Sequence, residues 1–442
     1  TNIITSPSIT PDYNGNIKAT RWATKESSHM DLDQNGNINQ KGYLYNYDRN
    51  NWLTDATFGN ANTSGSITPL ANKYQEKGLE YDANGNITKL QRTNETGTTI
   101  DNLTYNYATT GKNQLTQVTD AVPASPQFNN DIDSGQQAGN YVYNAIGQLT
   151  LNKQEQTHYF YNTSGLVTEI KGGNLDPSIA YPIVKFYYNE RGQRIRKESY
   201  STIQPNTLQS TTYYLLDLSG NIMSVYNKPV IDIIRQIEMP IYGATRLGVC
   251  YKTVFNSETR SYQITDHLGN VRAVVQKDSS NPNLVALLSY ADYYPFGEQL
   301  PERNSLDGSY RYAYQGQEKD GETGMEAFQL RLWDGRLGRW LTPDPYGQYH
   351  SPYLGMDNNP ISSIDSDGGW SSKFWRDVAW AFRGFQGDRF ENPEAINTNY
   401  RYGIKDSYVI KNGNGSVLDE IVLNSIYSTK TDSKHLWNSE FI

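Results

Sequence analysis

The chain has 442 residues, a net charge of -8, 19% charged and 36% hydrophobic residues, and an excess of 35 tyrosines and 36 glycines. Such an acidic chain, with no basic stripe before residue 370, excludes a general nucleic-acid binder, which needs Lys and Arg to displace counterions from phosphate. The single cysteine, Cys250, excludes an intrachain disulfide framework and reads as a small buried hydrophobe.

Aromatics at 12% favour sheet over helix, because planar rings pair well across pleated strands while glycine supplies the turns. No apolar run approaches the roughly 20 residues that cross a bilayer as a helix, so no membrane partner is expected. Thr1 to Thr10 lack the charged-then-apolar order of a signal peptide. The targeting segment, and further repeats, are therefore expected upstream.

From Tyr13 one phrase recurs: Tyr13-Asn14-Gly15-Asn16-Ile17, Asn35-Gly36-Asn37-Ile38 and Tyr81-Asp82-Ala83-Asn84-Gly85-Asn86-Ile87. Looser copies begin at Tyr143, Tyr161, Tyr188 and Asp217, and companion forms run from Tyr45 to Leu53 and from Tyr105 to Leu115. Each predicts strand, tight turn, strand: Tyr alternates into one face, Asn or Asp with Gly supplies the positive φ, and Ile or Leu restarts the next strand. A lone hairpin is marginal, so the units must pair edge to edge into a long sheet. Asp31, Asp33, Asn35, Gly36 and Asn37 match the opening of a calcium loop, but its twelfth position is Gly42 instead of a bidentate Glu, which favours the hairpin turn. This spelling resembles the YD repeats of RHS proteins, of the shell components of bacterial toxin complexes, and of teneurins, over residues 1–225; residues 226–265 read as connecting shell strands.

From Asp266 the text changes to Asp266-His267-Leu268-Gly269-Asn270-Val271-Arg272, then Tyr293-Tyr294-Pro295-Phe296-Gly297 and Tyr314-Gln315-Gly316-Gln317-Glu318. Leu330-Arg331-Leu332-Trp333-Asp334 leads into Leu337-Gly338-Arg339-Trp340-Leu341-Thr342-Pro343-Asp344-Pro345, and Asn358-Asn359-Pro360 precedes Ile364-Asp365-Ser366-Asp367-Gly368-Gly369. In this order the blocks, residues 266–369, resemble the RHS repeat-associated core in its Bacteroidetes spelling. The resemblance implies a mostly β fold, with YD-repeat hairpins wound into a cocoon-like shell. It also implies a core that plugs or lines one end, and a variable C-terminal polypeptide, here residues 370–442, that is often a toxin held inside. Own-tail cargo, further repeats or a partner chain completing the shell, and secretion machinery are the partners it implies; a secreted or cell-surface location goes with them.

Many RHS cores cut their own chain with two aspartates, and by motif those are Asp344 and Asp365. Paired carboxylates suit this chemistry because two pressed together do not both ionise, so one polarises the amide while the other deprotonates water. The resemblance puts the cut between Gly369 and Trp370, with Arg339 a candidate charge partner for Asp344 and Asp367 a substitute for Asp365. The alternative is that both aspartates only start turns. Asp365-Ser366-Asp367-Gly368-Gly369 also lacks the proline and leucine of the usual Asp-Pro-x-Gly-Leu. His29, His158, His267, His350 and His435 show no metal-ligand spacing, there is no phosphate loop or nucleophile elbow, and no cofactor or metal is expected.

Beyond Gly369, Phe374, Val378, Phe382 and Phe385 fall at helical spacing, with Lys373, Arg376 and Arg383 elsewhere on the helix, so an amphipathic helix packed on the shell wall is expected. Tyr408 to Leu423 predicts a further hairpin, making the segment a small α+β unit. Its nine Lys and Arg balance nine Asp and Glu, which gives no sign of a nuclease. A rival reading is a secreted or surface adhesive protein that is never cut.

Overall fold

In a computed structural model of the chain, the described residues are 15–23, 40–61, 66–110, 113–123, 132, 134–253, 257–281, 283–305, 310–369 and 371. Short strands are also described at Ser371–Ser372, Tyr408–Lys411, Val417–Ile421 and Asn424–Ile426. The expected helix at 373–385 and the calcium-like stretch Asp31 to Asn37 lie outside the described residues. Gly42 is inside them, and a Cβ there would stand 2.6 Å from the Thr20 carbonyl oxygen, leaving no room for a glutamate.

The repeat phrase folds as one local unit. In the copies at Asp82, Asn144, Asn162, Asn189 and Asp217, the side-chain Oδ1 accepts the backbone N–H two and four residues on; for Asp82 these are Asn84 at 2.8 Å and Asn86 at 2.9 Å. The third residue after the Asx is the glycine, at φ between 73° and 93° in Gly85, Gly147, Gly165, Gly192 and Gly220, where an L side chain is strained. The tyrosine that ends the strand before each turn does a second job. Its hydroxyl donates to the carbonyl of the residue that restarts the strand in the preceding repeat: Tyr47 to Ile17, Tyr81 to Leu53, Tyr107 to Ile87, Tyr161 to Leu149, Tyr188 to Val167 and Tyr293 to Val271, at 2.5 to 2.9 Å.

Repetition of this unit gives two open antiparallel sheets. The first has nine strands; Ala19–Trp22 lies near one edge and Leu115–Asp120 forms the other. The second is a fourteen-stranded meander from Tyr141–Tyr143 to Gln299–Asn304, each strand beside its neighbour in sequence, and it runs unbroken past residues 225 and 265. The expected C-terminal hairpin forms between Tyr408–Lys411 and Val417–Ile421. Asn424–Ile426 then pairs antiparallel with Ala19–Trp22, adding the tail to the edge of the first sheet.

One apolar core joins the pieces. Trp22, Tyr43, Phe58 and Leu103 of the first sheet share it with Tyr159, Ile170 and Phe186 of the second, and with Phe296, Tyr314, Trp333 and Trp340 from beyond residue 290. The four-stranded sheet Glu318–Lys319, Glu326–Ala327, Leu332–Asp334 and Arg339–Trp340 places both tryptophans in it, with ring centroids 4.9 Å apart and edge to face.

Removing one hydroxyl tests the tyrosine contact without disturbing packing. Tyr161→Phe leaves the Leu149 carbonyl without that donor and should cost about 1 kcal/mol, read as a lower urea midpoint with an unchanged m-value.

Candidate functional site

The segment from Arg339 to Ser362 crosses the turn ends of both sheets. Asn359 Nδ2 donates to Asn16 and Asn51, Asn358 to the Gly85 carbonyl, Ser351 to Asn86, and Tyr353 to the Gly147 carbonyl. At the far side His267 meets the Ile361 carbonyl at 2.9 Å, so one stretch of chain ties turns of the first sheet to turns of the second. Gly85 and Gly147 are pressed by Leu354 and Tyr353, and a Cβ on either would clash. Residues 339–362 therefore cover turns of both sheets.

A second set of contacts fastens the core to the wall. Arg194 and Lys197 meet Asp320 at 2.9 and 3.2 Å, Arg311 meets Glu238 at 2.6 Å and Glu318 at 2.9 Å, and Tyr214 donates to Glu318. Burial works to raise the Glu318 carboxyl, but Arg311, Lys197 and Arg194 outweigh it and hold the pKa down to about 2. Such buried ions are worth keeping only as a complete set, since losing one partner strands a charge at a cost of about 3–5 kcal/mol.

Within this frame stand the two aspartates. Asp344 Oδ1 accepts the Tyr346 N–H at 2.9 Å and Oδ2 the Gln348 N–H at 3.0 Å, while Gly347 has φ 61°. Asp365 Oδ1 accepts the N–H groups of Asp367, Gly368 and Gly369 at 3.4, 2.8 and 3.2 Å, and Gly368 has φ 82°. Both are thus the Asx turn of the repeats, carried into the core.

Asp365 differs from the repeat turns in its surroundings. It is 1% exposed, its N–H donates to Gln315 Oε1, and Oδ2 lies 3.6 Å from Arg331 Nη2. Burial pushes its pKa up to about 6, against the downward pull of Arg331 and of the Gly368 N–H. Arg331 is buried as well, stacks 4.3 Å from the Trp340 ring and bonds the Gly368 carbonyl. Burial lowers its pKa to about 10, while Asp344, Asp365 and Asp367 oppose that shift, so this one guanidinium feels all three carboxylates.

Arg339, expected beside Asp344, bonds instead to Asn86 and the Asn113 carbonyl and lies over the rings of Tyr107 and Tyr353. Asp367 Oδ1 accepts the Gly369 N–H at 2.9 Å. Gly369 is packed so that a Cβ would stand 2.6 Å from Tyr346 and 2.7 Å from Leu330, and Trp370 lies outside the described residues. Sequence reading missed Arg331, Gln315, Gln348 and Tyr349. Gln315 carried a signal, since it sits inside the Tyr-Gln-Gly-Gln-Glu block, and its φ of 48° marks a strained position.

The raised pKa fixes a sign. A carboxyl bound more tightly to its proton in the folded chain adds stability that is complete below the unfolded value near 4 and is lost as pH rises through about 6. Asp365→Asn should remove that dependence. The stability difference between variant and wild type should grow by up to about 3 kcal/mol in the variant's favour from pH 4 to pH 7.5, as read by urea titrations.

No family model matches the chain. Salivary gland surface protein 1 of Aedes aegypti is 30% identical over 198 residues, covering 42% of this chain and 5% of that protein. The tRNA3(Ser)-specific nuclease WapA of Bacillus spizizenii is 25% identical over 402 residues, covering 82% of this chain and 15% of that protein. The chain thus spans a small fraction of the curated relatives it matches. A structure of the Photorhabdus luminescens Tc holotoxin pore with a mutated TccC3 superposes with a TM-score of 0.51 at 18% identity, covering 74% of this chain and 15% of that one. The mostly β fold is shared with that structure over the matched part.

Proposed function

We propose that this chain is the terminal part of an RHS-type shell in a toxin-complex-like assembly. In this reading it encloses the polypeptide that follows Gly369 and frees it by one self-inflicted cut. The observation that carries the proposal is the placement of Asp365. A fully buried carboxyl holding its proton up to about pH 6 accepts the N–H of Gly369, the residue whose carbonyl is to be cut, and Arg331 joins it electrostatically to Asp344. The Tc holotoxin likeness and the core-capped turns support the shell, and the pairing of Asn424–Ile426 with Ala19–Trp22 supports a tail kept against it. A secreted or cell-surface location, and further repeats or a partner chain to complete the wall, belong to the same reading.

Asp365 supplies the proton and Asp344 receives one. Water adds through oxygen to the Gly369 carbonyl carbon and gives one proton to Asp344 as base. The Asp365 proton passes to the leaving nitrogen of Trp370, and the C–N bond breaks. Gly369 leaves as a carboxylic acid that keeps the second proton of the water and Trp370 as an amine, with water the only co-reactant.

Intact-mass measurement of freshly synthesised chain is the test. Wild type should appear as two fragments divided after Gly369, and Asp344→Asn and Asp365→Asn as single full-length chains. Cell-free synthesis across pH 5 to 8 should show cutting fall as pH rises through about 6, because the proton on Asp365 is lost there. A wild-type chain that stays whole throughout that range would end the proposal.

A further inference from the structure

Asp365 pairs antiparallel with Ser371, so several peptide bonds lie between these two paired residues. Something must fix which of them is presented. Upstream, the chain is strapped by Asp365, which takes the N–H groups of Gly368 and Gly369, and by Arg331, which takes the Gly368 carbonyl.

Downstream, Ser371 is 1% exposed and held on every polar atom. Its N–H donates to Gln348 Oε1 at 3.0 Å, and its carbonyl accepts from Gln348 Nε2 and, at 3.2 Å, from the Tyr349 hydroxyl. Its own hydroxyl lies 2.5 Å from that of Tyr349. One amide side chain thus satisfies both backbone groups of Ser371, as a neighbouring strand would, while the half-buried phenol of Tyr349 meets its hydroxyl. Gln348 is in turn fixed by Asp344, whose Oδ2 accepts the Gln348 N–H, so the turn that positions one aspartate also positions this grip.

We propose that Gln348 and Tyr349 form a subsite for the residue two places after the cut. It accepts a small hydroxyl-bearing side chain, and by seating Ser371 it selects the bond after Gly369. The inference rests on the self-cleavage reading and adds to it a specificity element in which the side chains of Gln348 and Tyr349 act on Ser371. Gln348 and Tyr349 are positioning residues: held between two clamps, the bond between them is kept in reach of the aspartates without further ordering, where small misplacement is expensive in rate.

The decisive experiment inserts one glycine between Gly369 and Trp370 in the full chain. If Ser371 sets the register, the upstream fragment gains the mass of that glycine. If the position is counted from Asp365, the cut stays after Gly369 and the subsite is overturned. Ser371→Thr should be cut like wild type, whereas Ser371→Tyr and Gln348→Ala should be cut roughly tenfold or more slowly, or at another bond. Their circular dichroism spectra should match that of wild type, which sets aside misfolding. Normal cutting of Ser371→Tyr at the original bond, with Asp365→Asn uncut, removes the subsite and leaves the protease. An uncut wild type removes both.

Discussion

The tyrosine hydroxyl that reaches back to the carbonyl of the preceding repeat is the contact on which the rest of this structure depends. Strand pairing alone would permit slippage, since a meander of many similar hairpins has several registers of similar hydrogen-bond count. The hydroxyl removes that freedom by linking a side chain at a fixed place in one repeat to the backbone at a fixed place in the one before. Each contact contributes about 1 kcal/mol, yet six of them act on consecutive or nearby hairpins, and their effect is on register more than on total stability. Leu216 stands where a tyrosine would precede Asp217, so the array tolerates a missing contact between well-made neighbours.

Much of this was legible in the sequence. Tyr, Asx and Gly at fixed spacing announce the hairpin because each has a local physical task, and local tasks leave a spelling. The partner of the tyrosine hydroxyl was not legible, because it is a backbone carbonyl and every residue has one. The mostly β fold followed from the number of copies, and the hairpin at Tyr408–Lys411 from its Asn-Gly turn. That the meander passes unbroken from the repeats through Val271–Lys277 could not be seen, since the core blocks differ from the repeats in wording while keeping the same Asx turn at Asp266.

The aspartates show the same limit at closer range. The motif located Asp344 and Asp365, and turn-starting stood in the sequence as the rival to chemistry; both aspartates do make Asx turns, and that role leaves chemistry open to the same side chains. Arg339 was the nearer cation in sequence, whereas Arg331 is brought over by the strand pairing of Leu332 with Ala327 and by the stack on Trp340. Contacts between a side chain and a distant turn, such as Gln348 with Ser371, depend on how the loop returns, and no spacing rule encodes that return.

The backward reach of the tyrosines has a consequence for how the wall is built. Every such bond joins a residue to one already upstream of it, so a chain emerging from the ribosome can complete each fastening as soon as the tyrosine appears. Nothing made later is needed. Assembly then has a direction, adding one hairpin at a time onto a finished edge. The segment that crosses the turns, from Arg339 to Ser362, arrives last and finds its docking places, at Asn16, Gly85, Asn86 and Gly147, already in position. The loop that carries Gly369 emerges only after that closure segment, so in the proposed self-cleavage the order of synthesis delays the cut until the turns of both sheets can be covered.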